Sequence, residues 1–274
     1  QARLIANFSI HRVAEHEALI LVESSQKELL LNHLETYHFR EDVQFTALNC
    51  KLLALQGPKS PLILEKVFEN QNLPEKPNDT TQLTLDGNRV EIIMKSLTGD
   101  EGHILCFQND FKDKLIQKFI KTNTPPVKVS ENAREVLRIE AGIPIFGKDM
   151  DQKSILPETG LEHTSVSYNK GCYIGQEVIA RIKTYGAPNF ALMGLTVEGL
   201  GLPPFNGILR LGEKKIGTIK SSVRSVTLNK IISLAYMHKE HRSPDIDLKV
   251  TIDGKPFKVK TCLLPFYQSQ TRKD

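Results

Sequence analysis

Every second position from Leu4 to Ile10 is apolar, which is the pattern of a strand with one face against a core. The apolar run 18–22 predicts a neighbouring strand, and further apolar runs cover 43–48 and 52–55. Residues 70–80 are rich in proline and asparagine, so we expect a surface connection there. The first part of the chain therefore mixes strands with connecting segments.

Helices are predicted where a capping residue precedes an amphipathic stretch. Ser25 with Glu28 forms a capping box, and Pro61 suits the first position of the helix over 62–68. The helix opened by Ser130 must end by Gly142. The predicted opening residues are Ser25, Ser60, Asp110 and Ser130.

Short alternating strands dominate the chain from about residue 191. A hairpin is also predicted earlier, where Asp86-Gly87 supplies the chemistry of a tight turn before a strand over 90–94. The later strands are close together and are punctuated by Gly, Pro or Asp-Gly, which favours a compact antiparallel barrel of about six strands. These strands are predicted at 192–197, 207–211, 215–220, 231–237, 248–252 and 257–261. The predicted fold class is α+β with a C-terminal barrel.

Composition narrows the class of protein. The 274 residues are 40% hydrophobic and 25% charged, which is typical of a folded globular chain. Apolar runs reach only about five residues, far short of the roughly 20 that cross a bilayer. The net charge of +4 is spread along the chain, which permits an anionic partner without requiring one. We expect no membrane partner and no direct nucleic-acid binding. The sequence begins at Gln1 and shows neither an initiating Met nor a leader segment, so we expect a chain that has been trimmed.

The four cysteines are widely spaced and contain no C-x-x-C pair, so they predict neither a zinc knuckle nor a redox dithiol. They are Cys50, Cys106, Cys172 and Cys262. This usage favours a reducing compartment. No metal site is predicted. His238 and His241 are better explained by a solvated turn, and Asp149 with Asp151 by a Gly-rich turn.

The most unusual string runs from Lys170 to Arg181. Gly171 and Gly175 allow backbone conformations closed to other residues, and a helix starting near Ile174 would direct its positive end toward Cys172. Together with Lys170, that setting favours a thiolate. The alternative is a buried, inert cysteine in a tight turn. The residues of the motif are Lys170, Gly171, Cys172, Tyr173, Ile174, Gly175, Gln176, Glu177 and Arg181.

This string resembles the K-G-C-Y-x-G-Q-E signature of the YgfZ-type folate-binding proteins, relatives of the glycine-cleavage T-protein (aminomethyltransferase). All positions of the signature match. Further agreement lies at 55–59, 138–144, 147–151, 156–158, 216–217, 221–222 and 265–267. The resemblance implies two ferredoxin-like α+β domains and a C-terminal barrel around a central folate cavity.

The implied domains are a first α+β domain over 1–50 and 125–190 without its N-terminal part, a ferredoxin-like domain over 51–124, and a barrel over 191–274. The implied cofactor is tetrahydrofolate or a related reduced folate. Asn7, Arg138 and Glu140 are its candidate contacts, although a structural ion pair is the alternative for Arg138 and Glu140. Cys172 is the candidate functional thiol.

The resemblance implies an accessory protein that supports iron–sulfur cluster assembly or repair in client enzymes, including tRNA-modifying ones. We expect it in the cytoplasm, or in the mitochondrial matrix of a eukaryote. Its partners would be iron–sulfur client or assembly proteins. Two departures from the T-protein speak against aminomethyl transfer. Asn7 occupies the position where the T-protein has its catalytic aspartate, and Ile104 replaces a carboxylate that holds the pterin ring. Folate-dependent aminomethyl transfer and a degenerate protein-binding scaffold remain the alternative hypotheses.

Overall fold

The computed structural model describes residues 3–199 and 201–267. These residues form two compact units. We call residues 6–130 the N-terminal unit, and residues 3–5 with the described residues from 131 onward the barrel unit. The ends of the predicted first and third domains, residues 1–2 and 268–274, lie outside the described residues. The division into three domains stays a prediction.

The N-terminal unit contains a two-stranded and a four-stranded antiparallel sheet. The four-stranded sheet has the order β3-β6-β5-β4, so β3 and β4 are its edges. Apolar side chains of this sheet pack with Leu64, Phe111 and Leu115 in one core. The elements are β1 (Phe8–Ala14), β2 (Glu17–Val22), α1 (Lys27–Thr36), β3 (Lys51–Gln56), α2 (Ser60–Val67), β4 (Thr80–Leu85), β5 (Asn88–Met94), β6 (Gly102–Phe107) and α3 (Lys112–Ile120).

The barrel unit places three helices before a closed barrel of six antiparallel strands. The strand order around the barrel is β10-β7-β12-β11-β8-β9. The predicted α+β class with a C-terminal antiparallel barrel is confirmed. The elements are α4 (Glu131–Glu140), α5 (Glu162–Ser165), α6 (Gln176–Tyr185), β7 (Phe190–Glu198), β8 (Ile208–Leu211), β9 (Lys214–Ser225), β10 (Lys230–His238), β11 (Asp247–Ile252) and β12 (Lys255–Cys262).

Strand β10 is buried on both faces, and this explains its nearly continuous apolar sequence. Ile231 and Met237 point into the barrel core. Ile232 and Leu234 instead join a second cluster with Ile139 of α4. The helix therefore packs on the outer wall of the barrel, because alternate residues of a strand face opposite sides.

The predicted helix caps at Ser25, Ser60 and Asp110 are wrong. Within the described ranges no side chain caps α1, α2 or α3. Short 3-10 turns, Ser24–Gln26 and Asn109–Phe111, lead into α1 and α3. Their backbone bonds, such as Phe111 N–H to the Gln108 carbonyl, already satisfy amides that a cap would serve.

One strand prediction also needs correction, because strand β1 starts only at Phe8 rather than near Leu4. The apolar run at 43–48 forms no regular element. The Asp86-Gly87 hairpin is confirmed, since φ is 50° at Asp86 and 77° at Gly87. Across the described parts of the chain, no helix is long and apolar enough to span a membrane.

Candidate functional site

The cysteine motif forms a surface loop that leads into α6. The helix begins at Gln176 rather than near Ile174, after Gly175 with φ of 90°. The Gln176 side-chain oxygen accepts the Tyr173 backbone N–H at 3.1 Å, which closes the loop. Cys172 is exposed. The buried, inert alternative for Cys172 therefore does not hold.

Glycine is required at only one of the two motif positions. Gly175 needs its left-handed backbone, as predicted. Gly171 does not have a positive φ, and a Cβ there would meet nothing within 4 Å. The conformational argument for Gly171 is therefore wrong.

Cations and apolar groups surround the loop. The Lys170 ammonium lies 5.0 Å from the Tyr173 ring centroid, so it makes a cation–π contact. Glu177 and Arg181 are exposed on α6. Ile174 is 70% exposed and Val178 39% exposed, so the motif also carries uncovered apolar side chains.

The other thiols lie in environments that suppress thiolate formation or shield the sulfur. Burial raises the pKa of Cys106 to about 12, with further contributions from Cys50 and Glu91. Burial also raises the pKa of Cys262 to about 11. Cys50 is half-buried. Cys172 is thus the one exposed thiol of the four.

Arg138 is bound inside the barrel unit by all of its guanidinium nitrogens. It donates to Glu135, to the Ile143 carbonyl at 2.9 Å, to Asp149 at 2.8 Å and to Ser221 at 2.7 Å. Arg138 and Asp149 are almost completely buried. Arg138 thus forms structural ion pairs with Glu135 and Asp149 rather than with Glu140, and these pairs leave the guanidinium with little capacity for a ligand.

Glu140 ends α4 in a similar internal network. Its carboxylate accepts hydrogen bonds from the hydroxyls of Ser225 at 2.5 Å and Thr227 at 3.2 Å. Its backbone carbonyl accepts the Phe266 N–H at 2.9 Å. Glu140 thus ties the helix to β9 and to the chain after β12. Its predicted contact with folate stays a prediction.

Asn7 lies just before β1, where its side chain is exposed. Its backbone N–H donates to the Gln26 side-chain oxygen at 2.9 Å. Gln26 is 3% exposed, and its Nε2 has no hydrogen-bond partner among the residues that the structure describes. Sequence reasoning missed Gln26, because a glutamine in front of a helix carries no signal of such a role.

Ile104, one of the two departures from the T-protein pattern, lies in the four-stranded sheet. Ile104 is buried in β6. His103 is also buried, and burial lowers its pKa to about 4. Its Nδ1 lies 3.1 Å from the Ser60 hydroxyl. Both residues of this pair are almost inaccessible, so the pair serves packing rather than chemistry on a substrate.

An open cleft of about 470 Å³ lies on the N-terminal unit beside Arg12. Residues 73–76 and 78–81 complete its lining. Charges of both signs line it, from Arg12, Lys76, Glu75 and Asp79. In residues 3–199 and 201–267, no group of three or more His, Cys, Asp or Glu side chains could hold a metal ion.

Comparison with known protein families shows which family shares these domains. Residues 1–170 match the GCVT N-terminal domain, and residues 191–268 match the glycine cleavage T-protein C-terminal barrel domain. The chain belongs to the glycine cleavage T-protein family. The predicted superfamily is confirmed, and the narrower YgfZ-type assignment stays a prediction.

Aminomethyltransferases of other organisms align with nearly the whole of this chain. An aminomethyltransferase of Bacillus cytotoxicus is 28% identical over 94% of this chain and 72% of its own length. That of Halothermothrix orenii is 27% identical over 96% and 74%. The crystal structure of glycine cleavage system aminomethyltransferase T from Bartonella henselae has a TM-score of 0.86 at 21% identity, covering 97% of this chain and 73% of that one.

Proposed function

We propose that this chain binds a reduced folate and transfers a one-carbon unit to it, as a T-protein-type aminomethyltransferase. The observation that carries the proposal is the match to both T-protein domains, in order, over 1–170 and 191–268. The relatives that align along the chain are aminomethyltransferases. Their agreement favours folate-dependent transfer, the alternative hypothesis of the sequence analysis, over the accessory function.

One local observation supports a polar ligand next to Asn7. The Gln26 side chain is buried, and its oxygen is occupied by the Asn7 backbone N–H. Its Nε2 donor has no partner in the described part of the chain. A buried donor left unpaired costs roughly 1–3 kcal/mol, which an acceptor on a ligand would recover. This donor could therefore bind an acceptor of the kind that a pterin ring offers.

Gln26→Glu tests this donor without disturbing the Asn7 contact. Glutamate keeps an oxygen for the Asn7 N–H and removes the Nε2 donor. We expect tetrahydrofolate affinity, measured by titration calorimetry, to fall about tenfold or more. Exposed Gln108→Glu is the matched control and should leave the affinity unchanged. Equal affinities for the wild type and Gln26→Glu would contradict a ligand at this donor.

The amide of Asn7 determines how fast aminomethyl transfer is expected to be. An amide cannot take up or release a proton at neutral pH, so transfer in this chain should be slow. In an assay of tetrahydrofolate-dependent ammonia release from an aminomethyl-lipoyl carrier, we expect weak turnover that Asn7→Asp raises at least about tenfold. Asn7→Ala is the control and should not increase the rate. A protein that binds no tetrahydrofolate would overturn the proposal.

A second candidate function rests on Cys172. This thiol is exposed in a motif that also exposes the apolar side chains of Ile174 and Val178, which favours an accessory role with iron–sulfur client or assembly proteins. Complementation of a strain lacking its own YgfZ protein should then fail for Cys172→Ala. Gly171→Ala is the control, since a Cβ there meets nothing within 4 Å. Full complementation by Cys172→Ala would rule out the cysteine role.

A further inference from the structure

Two thiols that are distant in sequence touch in the N-terminal unit. The Cys106 S–H donates to the Cys50 sulfur, and the two Sγ atoms are 3.0 Å apart. Cys106 lies on β6 opposite Leu52 of β3, and Cys50 directly precedes β3. The absence of a C-x-x-C motif predicted no redox dithiol, yet the pairing of β3 with β6 brings one together across 56 residues.

The environment makes the two thiols unequal. Cys50 is half-buried, and Cys106 is buried. Glu91 of β5 is the register partner of Cys106, so the two side chains share a face of the sheet. Glu91 is 5% exposed, and within the described residues its Oε2 accepts no hydrogen bond. Burial raises the pKa of Cys106 to about 12, and Cys50 and the Glu91 carboxylate add to this effect because they further disfavour the thiolate.

We propose that Cys50 and Cys106 form a dithiol modification site that a low-molecular-weight disulfide, such as glutathione disulfide, converts to an intramolecular disulfide. The site is independent of the proposed folate function. The sulfur atoms already touch, so bond formation needs a movement of about 1 Å to reach the S–S length. Glutathione disulfide is the oxidant, and the two thiols are the reductant.

The reaction has two exchange steps. The Cys50 thiol loses its proton, and the resulting thiolate attacks one sulfur of glutathione disulfide. This forms a Cys50–glutathione bond and releases a glutathione thiolate, which takes up the proton that Cys50 lost. The Cys106 sulfur then attacks Cys50, forms the Cys50–Cys106 bond and expels the second glutathione, which leaves with the Cys106 proton. Two electrons thus pass from the protein to the oxidant, giving two glutathione thiols.

This order follows from access and charge. Cys50 is the more exposed sulfur, so it meets the oxidant first. Glu91 slows the second step because it disfavours the Cys106 thiolate. The bond would tie the segment before the edge strand β3 to β6. It would close a loop of 56 residues, and closing a long loop restricts the unfolded chain.

The test treats the full chain with glutathione disulfide at neutral pH, blocks free thiols with N-ethylmaleimide and maps the peptides by mass. We expect a peptide pair joined through Cys50 and Cys106 and full recovery with dithiothreitol. In the Cys172→Ser variant, which lacks the exposed thiol, two titratable thiols should be lost. The melting temperature should rise by several degrees in the oxidised form. Cys172→Ser is the control and should form the same bond.

Variants separate the two steps. Cys106→Ala should accumulate a stable Cys50–glutathione adduct, and Cys50→Ser should leave Cys106 reduced. Glu91→Gln should speed collapse of the adduct severalfold, since it removes the charge beside Cys106. A stable Cys50–glutathione adduct in the native chain, or oxidation confined to Cys172, would overturn the proposal. Cys50 is only half-buried, so Cys50→Ser disturbs the core less than a Cys106 variant does. The test therefore remains valid even if a Cys106 variant fails to fold.

Discussion

Burial sets the protonation of His103, and the consequence is measurable as a pH dependence of stability. The folded-state pKa is about 4, below the roughly 6.5 of an unfolded histidine. The unfolded chain therefore binds more protons between these values, and stability falls as the pH drops through that window. We expect His103 to contribute a loss of about 2 kcal/mol between pH 7 and pH 5.

Urea unfolding at both pH values measures this contribution. His103→Gln removes the titrating group while keeping a polar partner for Ser60. The variant should lose less stability than the wild type over the same interval, whatever its stability at pH 7. An identical pH dependence in the two proteins would show that His103 is not the titrating group.

The cysteines should differ in reactivity toward an alkylating agent. Cys172 is exposed, and burial raises the pKa of Cys106 and of Cys262. Limiting iodoacetamide at neutral pH should therefore alkylate Cys172 first, as peptide mass mapping will show. The preference should shrink in denaturant, where the four thiols share one environment. Preferential labelling of Cys106 or Cys262 in the native chain would contradict this order.

The buried Arg138–Asp149 pair gives the sharpest residue-scale effect on stability. Asp149→Asn removes one of the two carboxylates that pair with the buried guanidinium, the other being Glu135, so we expect a loss of about 1–3 kcal/mol. Asp151→Asn is the matched control, since Asp151 is exposed and its main contact is an acceptor for the Lys153 N–H. We expect the control to change the free energy of unfolding by less than about 0.5 kcal/mol. Comparable effects from both variants would refute the role of the buried pair.

At the scale of elements, the barrel depends on a close approach between β9 and β10. Gly217 is the register partner of Met237, and a Cβ at Gly217 would lie 2.6 Å from the Tyr236 carbonyl oxygen. Because the obstacle is backbone in a closed barrel, no side-chain rotation relieves it. Gly217→Ala should lower the free energy of unfolding by roughly 1–3 kcal/mol.

Gly171→Ala provides the comparison, because open space surrounds that position. Thermal unfolding of both variants by circular dichroism should separate them by several degrees. A Gly217→Ala protein as stable as the wild type would mean that β9 and β10 can separate at this point without cost.

At the scale of the whole molecule, a bound ligand raises the melting temperature by mass action. Tetrahydrofolate at about 100 times its dissociation constant would add about 2.7 kcal/mol to the free energy of unfolding. For a chain of this size, we expect a rise of roughly 5–10 °C. The p-aminobenzoylglutamate tail without its pterin is the control and should give a smaller shift. No concentration-dependent shift would argue for a protein-binding scaffold.

Much of the fold could be predicted because its signals are local. The Asp86-Gly87 turn, the apolar alternation of the barrel strands and the end of α4 before Gly142 each depend on a few neighbouring residues. The predicted caps of α1 and α3 failed because 3-10 turns supplied their backbone bonds, and the predicted cap of α2 failed because Ser60 is already the first residue of the helix. The cysteine loop was found from its residue string. The exposure of Cys172 and the start of α6 at Gln176 became known only from the structure.

The sequence by itself determined the strand and helix periodicities and the antiparallel barrel, since backbone sterics and side-chain alternation act over short distances. The T-protein resemblance rested separately on matching residue strings. Tertiary structure alone decided the contacts between residues far apart: Cys50 with Cys106, Ser60 with His103, and Arg138 with Ser221. These contacts depend on the register of β3 against β6 and on where α4 meets the barrel wall. Register and docking result from the packing of the whole core, so no single stretch of sequence specifies them.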